Sequence, residues 1–281
     1  MLTQTGERLS SKVYAKIMVE HLHRYAFATY YTQRKRVLDI ASGEGYGTNL
    51  LAKNADFVYG VDVSKDAVAH ANEQYKAPNI KFLEGDVTHI PLNDNEVDVV
   101  VSFETIEHLR EHDEMIMECK RVMKDDGTLI ISTPDKKFYS DITGYKNPFH
   151  VKELYCNEFM ALISKYFSNI VLYRQGIAKG GIIYSSDVSS NGFKIYNGHY
   201  SEINCDQNIH LPEYLIIVAS NKDFKTNTNS LFESNAVNAE LQNEITKYKK
   251  MYDTIYFSTT YRVGRILLSP FQFVRSFLKS K

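Results

Sequence analysis

Apolar positions in the first 220 residues fall into two alternating patterns. Short runs rich in apolar residues recur at Val37–Ile40, Phe57–Asp62, Ile80–Asp86, Val97–Ser102, Thr128–Ser132, Asn169–Arg174 and Tyr214–Ala219. Such runs read as strands buried on both faces of a parallel sheet. Between them lie stretches with helical spacing. The first runs from about Ser11 to Tyr31, with Val13, Ile17, Val19, Leu22, Tyr25 and Ala26 as its apolar stripe; others cover about Tyr46 to Lys53, Ser64 to Tyr75, Glu111 to Met123 and Val151 to Phe167. Ser64 suits an N-cap, and Pro78-Asn79, Asn93–Glu96 and Asp126-Gly127 punctuate the pattern as turns. The alternation predicts an α/β fold: a doubly wound, mostly parallel sheet of seven strands over residues 1–220, with ligand groups at the carboxyl ends of the strands.

The first strand runs into Asp39-Ile-Ala-Ser-Gly-Glu-Gly-Tyr-Gly47. Strand, glycine-rich turn and helix start together form a nucleotide-type pocket, because glycine lets the backbone approach a ligand where a Cβ would collide. The spacing is not the G-x-G-x-x-G of dinucleotide folds in any frame. Asp39 followed by Gly43, Gly45 and Gly47 instead resembles motif I of the class I S-adenosylmethionine-dependent methyltransferases, with Ala41 where that family has its first glycine. The downstream motifs fit in order over roughly residues 1–175, including the turn into the fifth strand, where Asp126-Gly127 replaces the usual Pro-Gly.

The resemblance implies a Rossmann-like fold whose seventh strand lies antiparallel between the fifth and sixth, and S-adenosylmethionine as cofactor. Asp39, Ala41, Gly43, Glu44 and Gly45 would form the loop around it. Asp62 would accept from the ribose hydroxyls, Asp86 would reach the adenine amino group with the Val87 backbone beside it, and Val63 and Phe103 complete the implied cofactor-binding set. The N-terminal helix would form a lid, with Arg8 available to the methionine carboxylate.

Charge changes the picture at the other end. The 281 residues carry a net −1, but Lys247 to Lys281 holds eight Lys and Arg against Asp253 alone, a local +7 that leaves −8 on the remainder. A linker is expected at 221–239, followed by a basic amphipathic helical tail at 240–281 that suits an anionic membrane surface or a protein partner such as a glycosyltransferase. The acidic body argues against nucleic acid as a partner. Cys119, Cys156 and Cys205 have no zinc-site spacing and read as inert thiols. No signal-type N-terminus and no run near 20 apolar residues is seen, so a cytoplasmic protein, peripheral on the inner membrane face, is expected. Residues 175–210, rich in Gly, Ser, Asn and Tyr, form an insertion expected beside the substrate mouth, with Tyr184, Tyr196 and Tyr200 suited to stacking on rings.

The candidate chemistry sits after the fourth strand, in Glu104-Thr-Ile-Glu107-His108, and later at His150. This set resembles that of metal-using small-RNA 2′-O-methyltransferases and ubiquinone-pathway O-methyltransferases, which implies Glu104, Glu107, His108 and His150 as ligands for Mg²⁺ or Mn²⁺. The metal-free alternative makes His108 or His150 a general base, since histidine titrates near neutral pH. The Thr5-Gly-Glu-Arg8 and Glu20–Tyr25 stretches resemble methyltransferases of bacterial O-antigen and capsular polysaccharide biosynthesis. That implies O-methylation of a sugar or terminal phosphate on a glycan, a sugar nucleotide or a lipid-linked saccharide. Rival readings are a quinone-like or secondary-metabolite O-methyltransferase, an RNA methyltransferase, and a non-catalytic module that only binds the cofactor.

Overall fold

A computed structural model describes residues 15–177, 195–199, 202–206, 212–232, 235–261 and 263. The chain divides into two units, 1–232 and 233–281.

The first unit is built on seven strands. The first five are β1 (Arg36–Ile40), β2 (Phe57–Asp62), β3 (Ile80–Glu84), β4 (Val97–Ser102) and β5 (Met123–Pro134). β6 (Asn169–Gln175) follows, a separate hairpin pairs β7 (Ile195–His199) with β8 (Glu202–Asp206), and β9 (Tyr214–Ser220) returns to the sheet. The order is β3-β2-β1-β4-β5-β9-β6. All neighbours are parallel except β9, which runs antiparallel to both β5 and β6, as the family resemblance implies. The carboxyl ends of β1, β2, β4 and β5 therefore share one edge, and that edge is where the expected site residues lie.

Period-two alternation sorts the strand residues between two cores. Leu38, Ile40, Val100, Leu129, Ile131 and Ile217 face one side, packed under α4 (His112–Val122) and α5 (Cys156–Ser164). Val37, Val58, Val99, Ile130, Ile216 and Val218 face the other, under α1 (Ala15–Thr32) and α2 (Tyr46–Leu51). α3 (Lys65–Gln74) starts at Ser64, whose hydroxyl accepts from the Ala67 amide as its N-cap.

Several boundaries differ from the sequence reading, each for a local reason. β3 stops at Glu84 rather than Asp86, because the Asp86 carboxylate turns back to accept from the Thr88 amide at 2.8 Å and the Thr88 hydroxyl at 2.6 Å. The helix expected from Val151 starts only at Cys156, since the Val151 and Lys152 amides are spent on the carbonyl of Glu107. On α1 the stripe is rotated: Ile17 and Ala26 are exposed, while Glu20, Arg24 and Phe27 are buried. Within the expected linker, residues 221–232 lie on the first unit: the Asn227 amide donates to the Tyr31 hydroxyl and its carbonyl accepts from Tyr173.

In the second unit α6 covers Asn235–Tyr256. No helix among the described residues is long and apolar enough to cross a membrane. Residues 264–281 of the expected tail, with Tyr184 and Tyr200 of the insertion, lie outside the described residues.

Candidate active site at the carboxyl edge of the sheet

The loop after β1 turns by three left-handed residues in alternation: Ala41 (φ 57°), Gly43 (φ 55°) and Gly45 (φ 83°). Gly45 then caps α2, and a Cβ there would lie 2.8 Å from both Ala71 and the Phe82 ring. Only glycine takes this conformation without cost, so Ala41 is held with a penalty of about 1 kcal/mol. Asp39 shares the face of Val37 and points under α1 and α2. There it accepts from the Thr48 hydroxyl at 2.7 Å and the Tyr25 hydroxyl at 3.2 Å. Burial pushes its carboxyl up to about 7, against the pull of those two donors and helped by the nearby charge of Asp62.

Asp62 ends β2 and is nearly buried. Its Oδ2 accepts from the Gly43 amide at 2.8 Å and its Oδ1 from the Ser64 amide at 2.9 Å, so the carboxylate ties the glycine loop to the next strand end. Val63 beside it is 68 % exposed, an open apolar step on the same edge. Glu44 is half-buried between the two left-handed glycines; Asp86 is exposed and Val87 half-buried at the end of β3. Phe103 is buried beneath the loop, edge-on to Tyr25 at 5.1 Å. Arg8 lies outside the described residues.

The four residues expected around a metal separate into two groups. Glu104 has a left-handed backbone (φ 51°), and its Oε1 accepts from the Ser132 hydroxyl at 2.6 Å. The same oxygen lies 3.9 Å from Nη1 of Arg24, a guanidinium buried at 1 % exposure that also donates to Gln175 at 2.7 Å and sits over the Tyr214 ring. Glu104 is thus held by β5 and α1. Glu107, His108 and His150 do converge, with one ligand atom from each inside a 4.8 Å span.

Both imidazoles are fixed from behind. His108 Nδ1 donates to the Phe149 carbonyl at 3.0 Å, which turns Nε2 toward Glu107 Oε1, 3.9 Å away. His150 Nδ1 donates to Glu153 Oε1 at 2.5 Å, and its Nε2 accepts from the Asn147 side-chain amide at 3.0 Å. The two rings meet edge to face at 5.1 Å, and Tyr139 stacks on His150 from the other side at 5.4 Å. Glu107 is buried, accepts from the Thr133 hydroxyl at 3.2 Å, and is held well above the ordinary carboxylate range by burial and by the nearby Glu104. The sequence reading missed Arg24, Ser132, Tyr139, Asn147 and Glu153. Of these, Asn147 and Glu153 had a local signal, lying three residues before and three beyond His150.

A cleft of about 420 Å³ opens on the outer half of the same edge, lined by Asp135, Lys137, Phe138, Tyr155 and Arg174 among others. Lys137 and Phe138 belong to the segment that also carries Tyr139, and Pro212, just before β9, lines the cleft as well.

Residues 38–131 match the family described as "Methyltransferase domain". Over that stretch the chain is similar to methyltransferase domains. Two Mycobacterium tuberculosis proteins named as probable S-adenosylmethionine-dependent methyltransferases are each 39 % identical to it over 128 residues, covering 45 % of this chain and 46 % of theirs. A Coxiella burnetii ubiquinone biosynthesis O-methyltransferase is 30 % identical over 106 residues, covering 37 % of this chain and 45 % of its own. The chain thus spans under half the length of these curated relatives.

Solved structures agree at the level of the fold. A methyltransferase from Archaeoglobus fulgidus superposes with a TM-score of 0.54 at 19 % identity, over 73 % of this chain and 94 % of its own. YcgJ from Bacillus subtilis gives 0.52 at 18 %, over 72 % and 100 %. The methyltransferase domain implies S-adenosylmethionine as cofactor, and the left-handed glycine turn with an acid at the next strand end fits that group.

Proposed function

We propose that this chain transfers a methyl group from S-adenosylmethionine to a hydroxyl oxygen on a sugar of a glycan or sugar intermediate. The observation that carries the reading is the convergence of Glu107, His108 and His150 just beyond β4, on the edge where the glycine loop and Asp62 also lie. Asp62 would take the ribose hydroxyls, Val63 would lie against the base, and the backbone of residues 41–45 would face the amino-acid portion.

When bound, S-adenosylmethionine supplies a sulfonium methyl that is already activated. The residues of the chain must then align an acceptor oxygen and remove its proton. A histidine whose Nδ1–H is committed to an acceptor presents a basic Nε2; His108 is arranged so, and His150 would be once the Asn147 amide that donates to its Nε2 turns away. Proton removal needs such a group within reach of a hydroxyl, and two imidazoles 5.1 Å apart provide it. Glu153 would stabilise the imidazolium formed at His150.

A second reading is favoured by the donor set itself. One carboxylate and two imidazoles whose outer nitrogens are bonded to a carbonyl and a carboxylate fit a divalent cation, which would displace the Asn147 amide from His150 Nε2, and nitrogen-rich ligation favours Mn²⁺ over Mg²⁺. Such an ion would lower the pKa of a bound hydroxyl. The acceptor atom is supported by the O-methyltransferase named above, and the sugar by the sequence likeness to glycan-modifying enzymes. A quinone-like acceptor is the alternative.

The test is methyl transfer from labelled S-adenosylmethionine into lipid-linked glycans, with and without EDTA. Label in the glycan that survives EDTA supports the histidine base; label lost to EDTA and restored by Mn²⁺ supports the cation. Label confined to small lipophilic molecules would overturn the sugar reading, and cofactor binding with no transfer to either class would overturn catalysis itself.

A further inference from the structure

The helix of the second unit carries a pattern that the methyltransferase reading does not use. On α6 (Asn235–Tyr256), Ile245, Tyr248, Tyr252 and Ile255 are 49 %, 62 %, 61 % and 54 % exposed. Their spacing is three, four, three, and it extends backwards in sequence through Leu241 to Asn238. An alternation of three and four is the a/d seam of a heptad repeat, widened here at position g by Met251, which is 56 % exposed. Asn238, Ile245 and Tyr252 take position a; Leu241, Tyr248 and Ile255 take position d. The b and c positions across the helix are Ala239, Glu240, Thr246, Lys247, Asp253 and Thr254, polar but for one alanine.

We propose that α6 pairs with the α6 of a second copy of this chain as a parallel, in-register, two-stranded coiled coil. Charge selects the partner and the direction. Glu244 falls at position g and Lys249 at the following e, five residues on. In a parallel in-register pair, g of one helix faces the next e of the other, so Glu244 meets Lys249 of the second copy, twice by symmetry. The other two g-to-e pairs are Val237 with Gln242 and Met251 with Tyr256, and neither sets like charges together. In sequence Asn238 stands at position a, where a polar residue fixes register and favours two strands. The 22 residues of α6 make a helix about 33 Å long, of which the seam from Asn238 to Ile255 takes about 27 Å. An anionic lipid surface would draw on the helix's apolar residues and lysines alike, but it has no use for a heptad with complementary g and e charges.

Sedimentation equilibrium of the full-length protein tests this, with anionic vesicles of phosphatidylglycerol as a second arm. The expected result is a mass near twice the 32.3 kDa of one chain, falling to that of one chain in Ile245→Asp/Ile255→Asp. Glu244→Lys alone should weaken the dimer at least tenfold, and adding Lys249→Glu should restore it, which loss of helix folding could not mimic. Asn238→Cys should form a disulfide between two copies of the same peptide under oxidation, identified by mass spectrometry. A monomeric wild type, a dimer unmoved by the double aspartate change, or vesicle binding by a monomer that those aspartates abolish would each overturn the proposal.

Discussion

Asp62 Oδ2 accepts the backbone N–H of Gly43 across 2.8 Å, joining the end of the second strand to the glycine turn of the first. The acid proposed for the ribose is therefore also a brace for the loop that would cradle the rest of the cofactor. Asp62→Ala should lower S-adenosylmethionine affinity by more than tenfold, about 1.4 kcal/mol, measured by calorimetric titration. Unchanged affinity would remove Asp62 from the site.

Asp39 should make stability depend on pH. Its carboxyl is raised to about 7 by burial, so between roughly pH 4 and 7 the native state holds a proton that the unfolded chain has released. Stability from this group is complete below pH 4, falls as pH rises through the window and is flat above it. Relative to Asp39→Asn, the wild type should lose up to about 4 kcal/mol between pH 4 and 7.5 in urea unfolding. Equal slopes in both proteins would assign the dependence to other groups.

Gly47 packs against Tyr25, the residue that donates to Asp39 from α1. An added Cβ would lie 1.9 Å from the Tyr25 Cζ, so Gly47→Ala must displace the ring. Overpacking of this kind costs about 1–3 kcal/mol, and a fall in Tm is expected. At Ala41 the opposite holds: its φ of 57° suits glycine, and Ala41→Gly should raise stability by up to about 1 kcal/mol.

The separation of Glu104 from the histidine cluster gives a direct discrimination. Glu107→Gln should abolish Mn²⁺ binding if the cation reading holds, whereas Glu104→Gln should leave it within twofold, followed by Mn²⁺ electron paramagnetic resonance. Equal loss in both would return Glu104 to the ligand set.

His150→Ala should reduce kcat by about 10²–10³ with cofactor affinity unchanged, and Glu153→Gln should give a smaller loss with a shifted pH–rate profile. A kcat within threefold of wild type in His150→Ala would transfer the base role to His108.

The sheet, the glycine turn and the strand-end acids were legible because each is written locally, in an apolar run followed at once by its turn residues. The site was legible only in part. Glu104, Glu107 and His108 look equivalent in sequence, yet a left-handed backbone and Ser132, on the neighbouring strand, draw Glu104 away. Ser132 and Arg24 reach Glu104 from other elements, and no periodicity reports such a meeting. Arg24 was hidden for a second reason: a guanidinium at 1 % exposure contradicts the rule that a helix turns its charges outward. The late start of α5 was likewise illegible, because the Glu107 carbonyl that captures residues 151 and 152 is remote in sequence.

β6 and β9 are adjacent and antiparallel, with Gln175 opposite Tyr214. Whatever lies between them must leave and return through one doorway at the carboxyl edge, a single strand spacing wide. Lengthening such an excursion costs only about 0.6 kcal/mol per doubling, and the register of the sheet does not change. The length of chain between Gln175 and Tyr214 is therefore free of the sheet, and the strand ends that carry Asp39, Asp62 and Glu104 keep their places whatever that length is.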